Sequence, residues 1–223
     1  MNIQSFQRPA ASSMLLANPV VAVLRADHAR EYAPVIEALV EGGVRSIELT
    51  LSTNGVFDHL GELIGQFEHA AEIGLGTITS LDEAEQALDL GAAFLVTPTT
   101  QLDVIAAAVG RGIPVFPGGL TPTELASGWQ AGATAVKLFP ASVVGSDYIA
   151  ALRGPFPDIQ VVPSGGIDIA AAPKWIAAGA LAVSLGGPLI KDAFKGGDLV
   201  ALTERALHVS ELVAEALAAK GRS

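Results

Sequence analysis

One unit recurs along this chain. A short run rich in Val, Ile and Leu ends in a small or polar residue, and a longer alanine-rich amphipathic segment then closes at a glycine. The apolar runs fall at 20–24, 46–51, 73–77, 94–98, 114–116, 135–139, 160–163 and 182–185. Helical patterns lie between and after them, at 29–41, 54–67, 80–90, 101–111, 121–131, 147–153, 170–178 and 198–219, with a first helix at 4–17. Strands that alternate with helices pair in parallel through right-handed crossovers. Eight such units within 223 residues predict an α/β fold: residues 1–223 as a single (β/α)8 TIM barrel with an extra N-terminal helix. A doubly wound sheet is the competing topology, but it more commonly uses fewer strands.

The punctuation agrees with this reading. Gly42-Gly43, Gly91, Gly112, Gly132 and Gly179 stand where a helix wants a left-handed residue after its last turn. Ser80-Leu81-Asp82-Glu83 and Thr121-Pro122-Thr123-Glu124 have the form of capping boxes.

Composition removes whole classes of function. Half of the residues are hydrophobic and 16% are charged, so the chain is not disordered. The net charge is −10 and no Lys/Arg cluster appears, which argues against a nucleic-acid partner. There is no cysteine, so disulfides, thiolate metal sites and Cys nucleophiles are excluded together. No His-Glu-x-x-His spacing suggests zinc, and no Gly-x-Ser-x-Gly elbow suggests a serine hydrolase. The uncharged stretch nearest to a membrane span is interrupted by Gly179, Gly186, Gly187 and Pro188. No membrane partner and a cytoplasmic location are expected.

In a barrel, chemistry sits at the C-terminal ends of the strands. Lys137 lies within the apolar run Ala135-Val136-Lys137-Leu138-Phe139. Strand alternation turns Val136 and Leu138 toward the helices and Lys137 inward. An amine taken out of water gives up its proton more readily, as a nucleophile toward a carbonyl must. Glu48, with Ser46 and Thr50, takes the inward face of the second strand. It is either a plain salt-bridge partner of Lys137 or also a general acid/base. Arg25 closes the first strand, where it can clamp a carboxylate or simply sit in a loop. Thr77, and Thr97 with Pro98, end the third and fourth strands as ligand contacts or turn residues. Ser164-Gly165-Gly166 and Gly186-Gly187 follow the last two strands, the recurring phosphate position of barrels.

Together these residues resemble the family of 2-keto-3-deoxy-6-phosphogluconate and 4-hydroxy-2-oxoglutarate aldolases. The runs that carry the resemblance are Glu41-Gly42-Gly43-Val44, Ile47-Glu48-Leu49-Thr50-Leu51, Gly74-Leu75-Gly76-Thr77, Val96-Thr97-Pro98 and Phe116-Pro117-Gly118. Beyond them lie Val136-Lys137-Leu138-Phe139-Pro140-Ala141, Pro163-Ser164-Gly165-Gly166-Ile167 and Leu185-Gly186-Gly187.

The resemblance implies a class I pyruvate aldolase on a (β/α)8 barrel, a homotrimer that needs no metal and no other cofactor. It makes Lys137 the Schiff-base lysine and Glu48 the acid/base carboxylate. It puts Arg25, Thr77, Thr97, Pro98 and Phe139 around the pyruvate moiety, and Ser164, Gly165, Gly166, Gly186 and Gly187 around a phosphate. The substrate would be a small 2-keto acid, of phosphogluconate type or its galactonate epimer or 4-hydroxy-2-oxoglutarate. Two departures bear on that choice. Many members carry an Arg after Thr-Leu where this chain has Ser52, while Leu24-Arg25 matches the galactonate-series relatives. Pro188 stands where the family often has Ser. Apolar faces near Phe116 and Phe156 are candidates for the trimer contact. A phosphate-binding barrel isomerase or synthase, and a non-catalytic sugar-acid-binding barrel, are the other classes these residues allow.

Overall fold

A computed structural model describes residues 7–220 of the chain. Its strands are β1 (Val20–Leu24), β2 (Ser46–Thr50), β3 (Glu72–Gly76), β4 (Leu95–Val96), β5 (Val115–Phe116), β6 (Gly118–Gly119), β7 (Val136–Leu138), β8 (Val161–Pro163) and β9 (Val183–Leu185). All pairings between them are parallel. Six strands form a sheet in the order β5-β4-β3-β2-β1-β9, and three form a second in the order β6-β7-β8.

The break between the sheets has a local cause. Pro117 has no N–H to donate, so the strand expected at 114–116 stops at Phe116 as β5, which pairs with β4, and a separate β6, not expected from the sequence, pairs with β7. Across the other seam, β8 meets β9 through the bridge between Ser164 and Ser184 and a bond from the Leu181 N–H to the Val161 carbonyl, 2.8 Å. The result is a curled parallel sheet wrapped by helices. Its ladders do not run unbroken around eight strands, so the fully closed barrel expected from the sequence is not shown by the pairing.

Helices α1 (Ser13–Ala17), α2 (Tyr32–Glu41), α3 (Val56–Phe67), α4 (Leu81–Asp89), α5 (Leu102–Gly110), α6 (Pro122–Gln130), α7 (Asp147–Arg153), α8 (Ala172–Ala177), α9 (Gly187–Ile190) and α10 (Leu199–Lys220) complete the described elements. Both expected capping boxes form. Gly43, Gly91, Gly112, Gly132 and Gly179 all have positive φ, as their helix-stopping positions demand. Gly42 serves another purpose. A Cβ there would stand 2.4 Å from that of Ala206, so its absence lets the end of α2 press against α10.

The first helix is shorter than its pattern. Residues 4–6 of the expected 4–17 span lie outside the described residues, and the helix itself starts at Ser13 behind the Ser12 cap. Pro9 disfavours helix at Arg8, and this stretch instead straps the segment that follows α6. Arg8 donates to the carbonyls of Ala133 and Trp129, and the Thr134 hydroxyl donates to the Pro9 carbonyl at 2.8 Å.

Strand alternation splits the core in two. The outward faces, including Ile47, Leu49, Val136 and Leu138, pack against the helices. The inward faces supply Val21, Phe94, Val96, Phe116, Ala135, Val162 and Ala182, with Leu15 of α1 packed among them. Phe116 therefore does not lie on an exposed trimer face. It is 4% exposed on the inner face of the curled sheet, edge-on to Phe94 with ring centroids 5.8 Å apart. Phe156 is half-buried against the outer core.

Tyr32 secures the upper end of β1. It is fully buried, and its hydroxyl donates to the Leu24 carbonyl at 3.4 Å. Burial pushes its phenol up to about 12, against smaller opposing effects from Thr53, Thr50 and Arg25. A phenol that is harder to ionise in the folded state contributes stability below its unfolded pKa near 10. That stability is lost as pH rises toward 12. Urea titrations across pH 9–12 should therefore show an alkaline loss of roughly 3 kcal/mol that Tyr32→Phe removes.

Candidate active site

The strand ends gather around a cavity of about 230 Å³ at the C-terminal mouth of the sheet. At its head stands an ion pair. The Lys137 Nζ is 3.8 Å from Glu48 Oε1. Lys137 is 8% exposed and Glu48 1%, so both groups have left bulk water. Beneath them lie the apolar side chains of Val21, Val96, Phe116 and Val162.

Each partner is placed by its strand. The Lys137 N–H donates to the Pro117 carbonyl at 2.8 Å, and Lys137 pairs in register with Gly118 of β6. Glu48 projects inward from the fully buried β2. It needs Gly76 beside it, because a Cβ at position 76 would stand 2.0 Å from Glu48 Oε1 and 2.5 Å from its Cδ. Gly76→Ala should therefore displace the Glu48 carboxyl while leaving its chemistry intact. Turnover should fall by roughly 10²-fold, the scale of a misplaced catalytic group. Steady-state kinetics beside a thermal melt would separate this from unfolding.

Around this pair the lining includes Arg25, Thr50, Thr77, Pro98, Phe139, Ser164, Gly165, Gly166, Ser184, Gly186 and Gly187. Arg25 is exposed at the end of β1. Thr77 follows β3 at φ 62°, a conformation that a β-branched residue adopts only under strain. Phe139 is 39% exposed, with its ring centroid 5.4 Å from the Lys137 Nζ. Its ring lies against Gly165, where a Cβ would approach it to 2.8 Å.

Gly165 and Gly166 take φ values of 86° and 72°. Among the described residues, the N–H groups of Gly165, Gly166 and Gly187 find no acceptor. Free amides on side-chain-less backbone are donors suited to an oxyanion.

Of the residues singled out in the sequence, Thr97 alone stands outside the cavity. It is wholly buried. Its hydroxyl accepts from the Gly118 N–H at 3.3 Å and donates to the Thr99 carbonyl at 2.5 Å, so it joins β4 to β6. Ser184 is a further polar residue of the lining. Its hydroxyl lies 3.2 Å from that of Ser164, bridging the ends of β8 and β9 on the inner face of the sheet. Alternation along Ala182-Val183-Ser184-Leu185 turns it inward and was a sufficient signal. Val23 and Ile167 also line the mouth without having been singled out. Among the described residues, no group of three or more His, Asp or Glu side chains is arranged to hold a metal ion. No helix among them is long and apolar enough to cross a membrane.

A buried amine beside a buried acid, at the mouth of a parallel sheet, fits carbonyl chemistry on more than one scaffold. Comparison with known proteins decides between them. Residues 11–204 match the family model described as KDPG and KHG aldolase. The chain belongs to that family. It is accordingly an aldolase, a carbon–carbon lyase of the Schiff-base class.

Among its relatives is the probable 2-dehydro-3-deoxy-6-phosphogalactonate aldolase of Rhizobium meliloti. It is 31% identical over 185 residues, covering 82% of this chain and 87% of that protein. The 2-dehydro-3-deoxy-phosphogluconate aldolase of Dickeya dadantii is 33% identical over 198 residues, covering 88% and 92%. Among solved structures, the KDPG aldolase of Legionella pneumophila with pyruvate captured as a covalent carbinolamine superposes with a TM-score of 0.81 at 28% identity. That match covers 88% of this aldolase and 96% of that chain. The named relatives thus divide between the two sugar epimers.

Proposed function

We propose that this aldolase cleaves a 2-keto-3-deoxy-6-phospho sugar acid of the phosphogluconate type to pyruvate and glyceraldehyde 3-phosphate. The observation that carries this reading is the Lys137–Glu48 pair, 3.8 Å apart inside an apolar barrel and open to one cavity.

On this reading the steps are these, and the Lys137–Glu48 pairing supports them. Lys137 yields its proton to Glu48, and the free Nζ adds to the keto carbon. Glu48 protonates the hydroxyl of the resulting carbinolamine, water leaves, and a protonated Schiff base remains. The Glu48 carboxylate then takes the proton of the hydroxyl on the fourth carbon. The bond between the third and fourth carbons breaks, its electrons enter the iminium to form an enamine, and the aldehyde departs. Protonation of the enamine at its terminal carbon and hydrolysis release pyruvate and restore the amine. Arg25 pairs with the keto-acid carboxylate, Thr77 and Phe139 bound the pyruvate moiety, and the free amides of Gly165, Gly166 and Gly187 receive the phosphate. The substrate is the partner that matters for the chemistry. The family resemblance supports a homotrimer and a closed (β/α)8 barrel as the functional form.

A second reading, the galactonate epimer, is favoured by one observation. Arg25 lines the cavity and Ser52 does not, which is the arrangement of the galactonate series. Pyruvate release should be measured on both phosphorylated epimers and on 4-hydroxy-2-oxoglutarate. The proposal expects a phosphorylated substrate to give the largest kcat/KM, with the gluconate epimer ahead. A galactonate preference selects the second reading. Activity on none of the three overturns both.

A further inference from the structure

A second cavity, of about 370 Å³, opens beside the first. The two share Val23, Arg25, Gly186 and Gly187, so the end of β1 and the turn after β9 form a common wall. The far side is lined by Ile190, Lys191, Phe194 and Lys195. Three of the lining side chains are cations and none is a carboxylate. Among the described residues, Arg25, Lys191 and Lys195 make no ion pair. The neighbouring Asp192 instead packs against Gly197, where a Cβ would stand 2.6 Å from its Cγ.

This concentration of unpaired positive charge occurs in a chain of net charge −10, whose overall field repels anions. The backbone carries a matching sign. Among the described residues, only Thr77 and Lys191 have positive φ without being glycine. Thr77 lines the first cavity and Lys191 lines the second. Lys191 sits at φ 49°, ψ −118°, just past α9. A lysine has no local reason to prefer that conformation, and such strain persists only where the surroundings impose it.

We infer that the second cavity extends the phosphate site of the first: Lys191 and Lys195 hold, across the shared Gly186–Gly187 turn, the remote phosphate that the amides of Gly165, Gly166 and Gly187 receive. The inference rests on the aldolase reading and deepens it. Backbone amides at the glycine turns supply hydrogen bonds but no net charge, and Pro188 offers no hydroxyl. The lysines supply the countercharge that a phosphate dianion needs. They thereby favour phosphorylated sugar acids over 4-hydroxy-2-oxoglutarate, which carries no phosphate.

The test is the K191Q/K195Q variant, with K191R/K195R as the charge-conserving control. The first readout is the ratio of kcat/KM for the phosphorylated sugar acid to that for 4-hydroxy-2-oxoglutarate. It should fall by roughly tenfold or more in the glutamine variant. The loss should lie in KM, since the contact holds the ground state and transition state alike. Arginine should restore it. The second readout is calorimetric titration with inorganic phosphate, without turnover. Affinity should weaken by a similar factor in the glutamine variant and recover with arginine. A ratio and a phosphate affinity both within twofold of the wild type would overturn the subsite, as would a wild-type protein that binds no phosphate at millimolar concentration. If the wild type cleaves neither substrate, the aldolase reading fails. The phosphate titration alone then decides the subsite.

Discussion

Replacing Lys137 with alanine should abolish cleavage, lowering kcat/KM by roughly 10⁴-fold or more, the scale of loss when the nucleophile of a coupled site is removed. Among the described residues, no other amine lines this cavity. Arg25 carries a guanidinium and not an amine, and Lys191 and Lys195 line the neighbouring cavity rather than the inner face of the sheet. The fold should survive, because the packing of β7 against the helices comes from Val136 and Leu138 on its other face. A stability cost is still expected, since the substitution leaves Glu48, 1% exposed, without its partner. Breaking a buried pair in this way costs about 3–5 kcal/mol. Lys137→Met keeps the volume and should be equally inactive. Pyruvate release and thermal unfolding, measured together on both variants, separate lost chemistry from lost structure. Substantial turnover in either one would refute the role of the amine.

Glu48→Gln should lower kcat by roughly 10²–10⁴-fold, the usual range for a general acid–base group. The amide can still occupy the space beside Gly76, but it can neither accept the proton of Lys137 nor return one to the carbinolamine. KM should change much less than kcat, because the carboxyl acts on steps after binding. The Schiff base with pyruvate should still form, only more slowly. A kcat within tenfold of the wild type would reduce Glu48 to the plain salt-bridge partner that its position also allows.

Much of this was legible in the sequence because strand alternation has a period of two. Once the run 135–139 is read as a strand, the direction of Lys137 follows from its apolar neighbours, and the same holds for Glu48. The glycines that stop helices are equally legible, since few other residues adopt positive φ without cost. What local pattern does not show shares a cause. Thr97 has the composition of a ligand contact, but its hydroxyl bonds to the backbone of two neighbouring segments. Phe116 looks like an apolar surface residue until the curl of the sheet turns it inside. Pro117 breaks the ladder at a point where the sequence gives a short strand but not its change of partner. Each depends on which strand ends meet across the mouth, and no local pattern carries that. The second cavity is of the same kind. Lys191 and Lys195 read as ordinary solvated lysines until the turn after β9 brings them to the wall that Arg25 shares.

The central claim is that Lys137 condenses with a keto acid. The most direct measurement incubates the protein with pyruvate, reduces it with borohydride and maps the adduct by peptide mass spectrometry. The account predicts one reduced pyruvate adduct, on the peptide containing Lys137 and absent from Lys137→Ala. No adduct, or one confined to Lys174, Lys191, Lys195 or Lys220, would contradict it.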